Sequence, residues 1–206
     1  MSNPAPRPSG PSPLRARERI LNAAAELFRA QGYEASMDAI ATAAGVSKQT
    51  LYNQFGSKEE LFKAIIAARA DVLRAPLSAA GPERHPREVL TGFARQYYTL
   101  FLTPDGMDFL RMLIAAAPRF PELAQDFYDL GPKRTLSLLT EWMAREDRLG
   151  RLDTGDPALA AEHFSSLILG HFQLRGLLGM ASALSPSEIE RRARFCADAF
   201  MRAFGP

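Results

Sequence analysis

The chain has 206 residues, 47% of them hydrophobic and 23% charged, which is enough to bury a core in one domain, or in a small domain and a larger one. Its formal net charge of only +2 argues against a general nucleic-acid coat, and its single cysteine, Cys196, cannot form an internal disulfide. No stretch is long and apolar enough to cross a membrane, and the first residues lack the apolar segment of a signal peptide, so we expect a cytoplasmic protein.

The positive charge is concentrated near the start of the chain. Residues 1–58 carry seven Lys or Arg and four acids, whereas the remaining residues carry eighteen and nineteen. This distribution suits a domain that meets phosphate. Residues 1–13 are rich in Pro and Ser, which predicts a disordered arm that either lies along DNA or has no role. Arg15, Arg17 and Arg19, next to the ordered domain, are better candidates for contacts with a DNA backbone.

An amphipathic helix is predicted next. Ile20, Ala24, Leu27 and Phe28 follow the i, i+4, i+7, i+8 spacing of one helical face, and Gly32 is expected to end the helix.

Residues 37–55 predict two short helices joined by a tight turn. Ser36 and Ser47 are placed to cap the two helices, and Gly45 ends the first because glycine tolerates a left-handed conformation. Leu51 and Phe55, four residues apart, face inward. The outer face of the second helix then carries Lys48, Gln49, Thr50, Tyr52 and Asn53. This pattern is typical of a DNA-reading helix-turn-helix, although the two helices alone suit an ordinary helical hairpin equally well.

Downstream, Ser57 and Glu60 form a capping box that begins a long helix, expected to end before Pro76. With these flanks in place, residues 15–66 resemble the DNA-binding domain of the TetR/AcrR family of bacterial regulators, through the run RERILNAAAELFRAQGYEASMDAIATAAGVSKQTLYNQFGSKEELFKAII. The resemblance covers about a quarter of the chain and implies that the second helix of the motif enters the major groove of double-stranded operator DNA. It implies phosphate contacts from Ser36, Ser47, Tyr52 and Lys58, with Lys48, Gln49, Thr50 and Asn53 near base edges.

The rest of the chain predicts only helices. We expect them at residues 87–102, at 107–117 after a break at 103–106, from Pro121 to about residue 147 with a kink at Gly131 and Pro132, at 157–178, and from Ser185 onward. No alternating apolar run predicts a strand. The expected fold is therefore all-α, with a three-helix DNA-binding domain at residues 14–57 and a larger helical ligand-binding and dimerisation domain at residues 58–206.

The predicted helix at residues 157–178 is apolar over more than half of its circumference, so it is buried on two sides. It is either the central helix of a monomer or a helix that also meets a second copy of the chain. The family resemblance favours a homodimer, because the last two helices usually form a four-helix interface. The predicted interface residues are Phe164, Phe172, Ile189, Cys196 and Phe200. The segment AAAPRFPELAQDFYDLGPKR also resembles the effector domain of the AefR-like subgroup.

No catalytic arrangement is present in the sequence: there is no glycine-rich phosphate loop, no GxSxG turn and no HExxH pair. His163 and His171 lie too far apart along one helix to share a metal ion unaided. Cys196 falls on an apolar stripe, where an inert thiol is expected. We therefore expect a protein that is not an enzyme and needs neither a metal nor a cofactor.

The aromatic side chains of the C-terminal part form either a solid core or the walls of a cavity for a small hydrophobic or aromatic effector. The candidate residues are Phe93, Tyr97, Phe101, Phe109, Met112, Trp142 and Phe164, with His171 or Arg175 orienting a polar end. Two functions follow: a ligand-responsive repressor that binds a pseudo-palindromic operator as a dimer, or a ligand-independent DNA-binding or architectural protein whose C-terminal domain only dimerises.

Overall fold

The computed structural model describes residues 13–79, 81, 83–180 and 183–206, so the predicted disordered arm, apart from its last residue, lies outside the described residues. Over this part of the chain the backbone is helical and contains no strand, which confirms the all-α prediction. The chain divides into two compact units, Met1–Ile65 and Ile66–Pro206. The division falls inside a long helix, whereas the sequence placed it before that helix.

The N-terminal unit is built from α1 (Pro13–Gln31), α2 (Met37–Ala44), α3 (Lys48–Phe55) and the first part of α4 (Lys58–Ser78). Its centre is an aromatic cluster in which the rings of Phe28 and Tyr33 lie 5.6 Å apart and those of Tyr33 and Phe62 also 5.6 Å apart. Ile20 and Leu51 are fully buried and carry this core from α1 to α3. Burial of each of these side chains stabilises the folded unit by about 1.5–3 kcal/mol. This burial holds α3 against the other helices.

The C-terminal unit contains the rest of α4, followed by α5 (Pro86–Leu100), α6 (Pro104–Ala116), α7 (Pro121–Tyr128), α8 (Arg134–Arg148), α9 (Pro157–Arg175) and α10 (Pro186–Phe204). Its core joins α5, α9 and α10 through buried Phe93, Phe164 and Phe200. The rings of Phe164 and Phe200 lie 5.2 Å apart in an edge-to-face arrangement, which is a favoured geometry for aromatic pairs.

Two predicted helix boundaries were wrong, and both involve proline. Helix α4 continues through Pro76 to Ser78, because a proline in the last turn removes one backbone hydrogen bond while Leu77 behind it gains burial. Helix α6 begins at Pro104, where a break was predicted. Thr103 caps it by accepting a hydrogen bond from Gly106 N at 3.1 Å, and a proline in the first turn lacks only an N–H that the helix does not use.

Two distortions interrupt the later helices. A π-helical turn at Asp129–Lys133 joins α7 to α8, at the predicted kink, because Pro132 has no N–H to donate to the preceding turn. Helix α9 contains Gly170 with φ 42° and ψ −149°, a conformation accessible essentially to glycine alone. A second π-helical turn, Gly176–Met180, follows α9. The predicted single helix at 157–178 is therefore broken in its second half.

Candidate DNA-binding surface and effector cavity

The turn between α2 and α3 is held by the residues that the sequence predicted to hold it. Ser36 accepts a hydrogen bond from Ala39 N, and Ser47 accepts one from Thr50 N, each at 3.1 Å, so both predicted caps are confirmed. Gly45 has φ 62°, the left-handed conformation that ends a helix at little cost to glycine. The helix-turn-helix geometry therefore follows directly from the local sequence.

Arg19 takes part in this turn. Its Nε and Nη2 donate to the carbonyl of Ala44 at 3.0 and 2.7 Å, and Nη2 also donates to the carbonyl of Gly45 at 2.7 Å. These carbonyls end α2 and have no partner within the helix. The sequence analysis named Arg19 as a candidate for contact with a DNA backbone. In the structure its guanidinium binds the turn and so connects α1 to it.

The outer face of α3 is polar and accessible. Leu51 and Phe55 are buried, while Lys48, Gln49, Tyr52 and Asn53 are exposed and Thr50 is half-buried. Several of these side chains pair with one another or with a neighbour. Gln49 Nε2 donates to Asn53 Oδ1 at 2.8 Å, and the hydroxyls of Thr50 and Ser47 lie 2.8 Å apart.

Lys48 lies 2.6 Å from the carboxylate of Asp38 on α2. The hydrogen bond and charge of Asp38 raise the pKa of Lys48, so the ammonium is charged at neutral pH. Lys58, at the start of α4, is half-buried, with Nζ 4.7 Å from the centre of the Tyr33 ring and 3.5 Å from the Ala35 carbonyl. Hydrogen-bonding side chains at the start of an exposed helix, flanked by two lysines, can contact base edges and phosphates together.

A cavity of about 320 Å³ lies in the C-terminal unit. Its walls come from α4 to α9 and from the π-helical turn. The aromatic residues that line it are Tyr97, Phe101, Phe109, Phe127 and Tyr128. The aliphatic lining includes Ile66, Ala70, Leu73, Leu136 and Leu169, and the polar lining is Arg69, Thr135, Glu162, Ser165 and Ser166. Its volume lies at the lower end of the range typical of small-molecule sites, roughly 300–1,000 Å³.

Two family models match the chain. One, described as bacterial regulatory proteins of the tetR family, matches residues 20–65, and the other, described as the C-terminal domain of AefR-like transcriptional repressors, matches residues 88–206. The chain belongs to the TetR family of transcriptional regulators. The match to the second model covers more than half of the chain and includes α5 to α10.

Solved structures of other regulators resemble this chain over most of its length. A TetR-family regulator from Mesorhizobium loti aligns with a TM-score of 0.78 at 28% identity, over 96% of this chain and 100% of the other. The flavonoid-responsive regulator FrrA aligns with a TM-score of 0.65 at 37% identity, over 93% of this chain and 98% of the other.

Curated relatives match this chain over a short segment. The regulator UidR of Escherichia coli K12 is 53% identical over 51 residues, 24% of this chain and 26% of its own. The transcriptional activator FasR of Mycolicibacterium smegmatis is 48% identical over 58 residues, 28% of this chain and 26% of its own. The chain thus spans about a quarter of the length of these relatives, all of which are transcriptional regulators.

The structure brings only part of the predicted pocket together. Tyr97, Phe101 and Phe109 line the cavity. Phe93 and Phe164 are instead fully buried in the core of α5, α9 and α10, because both side chains point into the packed space between these helices. Met112 does not line the cavity either. His171 and Arg175 are exposed and follow the break at Gly170.

Trp142, also predicted for the pocket, lines a different and shallower depression of about 280 Å³ with Leu77, Leu138 and Arg145. The cavity residues that the sequence analysis missed are Phe127, Tyr128, Thr135 and Leu136, on both sides of the π-helical turn. The pair Gly131–Pro132 signalled this turn. At Gly131 a Cβ atom would lie 3.5 Å from Ile66 Cγ2, so the turn packs closely on α4.

The predicted dimer interface needs correction. Phe164, Cys196 and Phe200 are buried within the chain itself, where a second copy cannot reach them, and Phe172 and Ile189 are half-buried against the same core. The exposed apolar side chains of α9 and α10 are instead Leu159, Leu167, Leu174 and Phe195, the last of which is 65% exposed.

Cys196 is a core residue of this TetR-family chain. Its Sγ lies 3.5 Å from the carbonyl of Leu167, to which it donates, and 3.8 Å from Tyr98 Oη. Burial raises the pKa of the thiol, which keeps it protonated and unreactive. Among the described residues, no three His, Cys, Asp or Glu side chains are grouped as a metal site. Nor does this part of the chain contain a helix with the length and apolar character needed to span a bilayer.

Proposed function

We propose that this regulator is a repressor that binds a pseudo-palindromic operator as a homodimer and is released by a small, mostly apolar effector. The observation that carries the proposal is the cavity of about 320 Å³, because a domain that only dimerised would have no need of a cavity lined by aromatic side chains. Repression, rather than activation, is supported by the AefR-like repressor domain model that matches residues 88–206.

Operator contact is proposed for the exposed face of α3. Lys48, Gln49, Thr50 and Asn53 would lie near base edges, while Tyr52, Lys58 and the two cap residues Ser36 and Ser47 would lie near phosphates. Lys48 is proposed to reach a phosphate as well, because it lies at the start of α3, where its ammonium already pairs with the carboxylate of Asp38. The proposal is supported by the exposure of most of these side chains and by their grouping around the start of α3. Base contacts specify a sequence and phosphate contacts fix position, so both kinds are required.

A homodimer is supported by the exposed apolar side chains Leu159, Leu167, Leu174 and Phe195. They lie on α9 and α10, the last two helices, where the family resemblance places the dimer interface. A two-fold dimer would present two copies of α3 to half-sites about 34–36 Å apart, or a multiple of that distance.

Helix α4 offers a route from effector to DNA. It begins at Lys58 in the N-terminal unit and lines the cavity with Ile66, Arg69, Ala70 and Leu73. An effector that fits only one position of this helix would change the separation of the two α3 helices. The effector can shift the equilibrium between the DNA-bound and released arrangements only by its difference in affinity for the two, commonly about 1–3 kcal/mol. Operator DNA must then lower the affinity of the protein for the effector by the same factor. FrrA is flavonoid-responsive, which supports an aromatic effector here.

The test begins with selection of an operator from random duplexes and a screen for small aromatic molecules that release it. Leu136→Trp should fill the cavity, leaving operator affinity intact and abolishing release. The matched control is Leu138→Trp on the same helix, because Leu138 is equally half-buried but lines the other depression. Release that persists unchanged in Leu136→Trp, or the absence of any releasing molecule, would favour the ligand-independent function.

A further inference from the structure

We propose that the cavity selects an uncharged aromatic molecule that carries a hydroxyl group, with Tyr97 and Thr135 as its hydrogen-bond partners. This inference rests on the proposed function only in taking the cavity as the effector site. It goes further by assigning the chemical class of the effector and the side chains that recognise it.

The aromatic preference follows from the walls. Five aromatic rings from α5, α6 and α7 face the cavity, and the rings of Tyr97 and Phe101 lie 5.3 Å apart at an angle of 48°. Rings arranged in this way offer both faces and edges to a bound ring, and aromatic pairs gain stability in offset and edge-to-face arrangements. The volume of about 320 Å³ is enough for a small molecule.

The hydroxyl preference follows from two side chains with unused hydrogen-bonding capacity. Thr135 is only 8% exposed and lines the cavity, and its hydroxyl forms no hydrogen bond with any described residue. A ligand in the cavity could therefore supply the missing hydrogen-bond partner of this hydroxyl.

Tyr97 also lines the cavity, and its Oη forms no hydrogen bond with any described residue. Ser165, by contrast, already donates to the Ala161 carbonyl at 2.9 Å, so its oxygen remains only as an acceptor. A ligand hydroxyl can both donate and accept. This matches Tyr97 and Thr135, which are less exposed than the other unbonded hydroxyl side chains of the lining, Tyr128 and Ser166, and it matches the acceptor oxygen of Ser165.

The preference for an uncharged molecule follows from the charged lining. Arg69 and Glu162 carry opposite charges, and the guanidinium of Arg69 already lies 5.2 Å from the centre of the Phe109 ring. Burial raises the pKa of Tyr97 to about 12, so its phenol stays neutral at physiological pH. A charged ligand would lose its hydration, and the opposite charges of Arg69 and Glu162 would attract and repel it at the same time, so its charge would be poorly compensated.

The test uses the purified full chain and four probes of nearly equal size: biphenyl, biphenyl-4-ol, 4,4′-dihydroxybiphenyl and biphenyl-4-carboxylate. Calorimetry should give roughly 3–10-fold tighter binding for the hydroxylated probes than for biphenyl. A hydroxylated probe can form a hydrogen bond with a cavity hydroxyl, whereas biphenyl leaves that hydroxyl without a partner. The carboxylate should bind more weakly than biphenyl-4-ol.

Thr135→Val, which keeps the shape of the side chain, and Tyr97→Phe should each reduce the advantage of the hydroxylated probes and leave biphenyl unchanged. Thr140→Val on the same helix is the control, since Thr140 does not line the cavity. The proposal is overturned if the carboxylate binds as tightly as the phenols, if both variants keep the full preference, or if no probe binds. Probes that bind as expected but do not release operator would sustain the ligand class and contradict the proposed function.

Discussion

Gln49 and Asn53 are joined across one turn of α3 by a hydrogen bond of 2.8 Å from Gln49 Nε2 to Asn53 Oδ1. The bond holds both amides on the exposed face and leaves Gln49 with a free carbonyl and a second N–H, the pair needed for a bidentate contact with adenine. Asn53 therefore orients Gln49, in addition to its proposed contact with DNA.

Gln49→Ala and Asn53→Ala should each weaken binding to the preferred operator by about 1–3 kcal/mol and relax preference at particular base pairs. Because the two amides act together, the double variant should lose less than the sum of the two losses. Competition binding against operators with single base-pair changes measures this. Asn22→Ala, exposed on α1, should change nothing, and additive losses would contradict the coupling.

Ser47→Asp separates the capping role of Ser47 from its proposed contact with phosphate. Aspartate caps a helix as well as serine and suits the positive helix end, so the melting temperature should be unchanged. The new negative charge should repel phosphate and lower affinity for all duplexes. The matched control is Ser185→Asp, which changes the cap of α10 in the C-terminal unit and should not affect DNA binding. Equal effects of the two variants would contradict a phosphate contact by Ser47.

Asp38→Asn should strengthen DNA binding. Asp38 lies 2.6 Å from Lys48, so its carboxylate competes with phosphate for the ammonium. Removing that charge should raise affinity at low salt and steepen the dependence of log K on log salt by roughly one unit. Filter binding or fluorescence anisotropy between low and physiological salt measures both quantities. A weaker complex with an unchanged slope would show that Lys48 does not meet phosphate.

Phe195→Glu should convert the proposed homodimer into folded monomers, because Phe195 is 65% exposed on α10. Phe200→Glu should instead unfold the C-terminal unit, since Phe200 is 1% exposed and a charge there would be buried without a partner. Sedimentation velocity with circular dichroism separates the two outcomes. Ile114→Glu on α6, also exposed and apolar, is the control and should remain dimeric. A wild-type monomer at micromolar concentration would refute the dimer.

Acid should destabilise the C-terminal unit through two ion pairs between α5 and α10. Hydrogen bonds from Arg95 and Arg87 lower the pKa of Glu190 and of Asp198 respectively. The pKa values of Glu and Asp in the unfolded chain are about 4.3 and 3.9. Because folding lowers both pKa values, the two carboxylates stabilise the folded state above these values, and the stabilisation is lost as the pH falls through the pKa values of the folded state. The melting temperature should therefore fall less between about pH 5 and pH 3 in Glu190→Gln and Asp198→Asn than in the wild type. Parallel curves would contradict this.

The sequence predicted the helix-turn-helix closely because its signals are local. A cap residue such as Ser36 and a turn glycine such as Gly45 act on neighbours within a few residues. The cavity was predicted less well, since apolar periodicity identifies a side chain that faces inward but not whether it meets a neighbour or a space. Phe93 and Tyr97 lie on the same helix, α5, yet Phe93 is a core residue and Tyr97 lines the cavity.

The residues of the proposed dimer interface could not be predicted from the sequence for the same reason. Both sides of α9 are apolar in sequence, and only the packing of α5 and α10 decides that Phe164 is enclosed while Leu167 is exposed. Long-range contacts of this kind depend on every helix at once, which no single segment encodes.

The π-helical turn at Asp129–Lys133 has an evolutionary consequence. A π-turn corresponds to an α-helix with one residue inserted, and the wide turn absorbs that residue, so loss of a single codon there would restore a regular helix and keep the register of α7 and α8. The cavity wall would change at Gly131 and Pro132, which belong to this turn, whereas no residue of α3 would change. Under the proposed function, one mutational step in this turn would alter the shape of the effector cavity and leave the operator-contacting helix as it is.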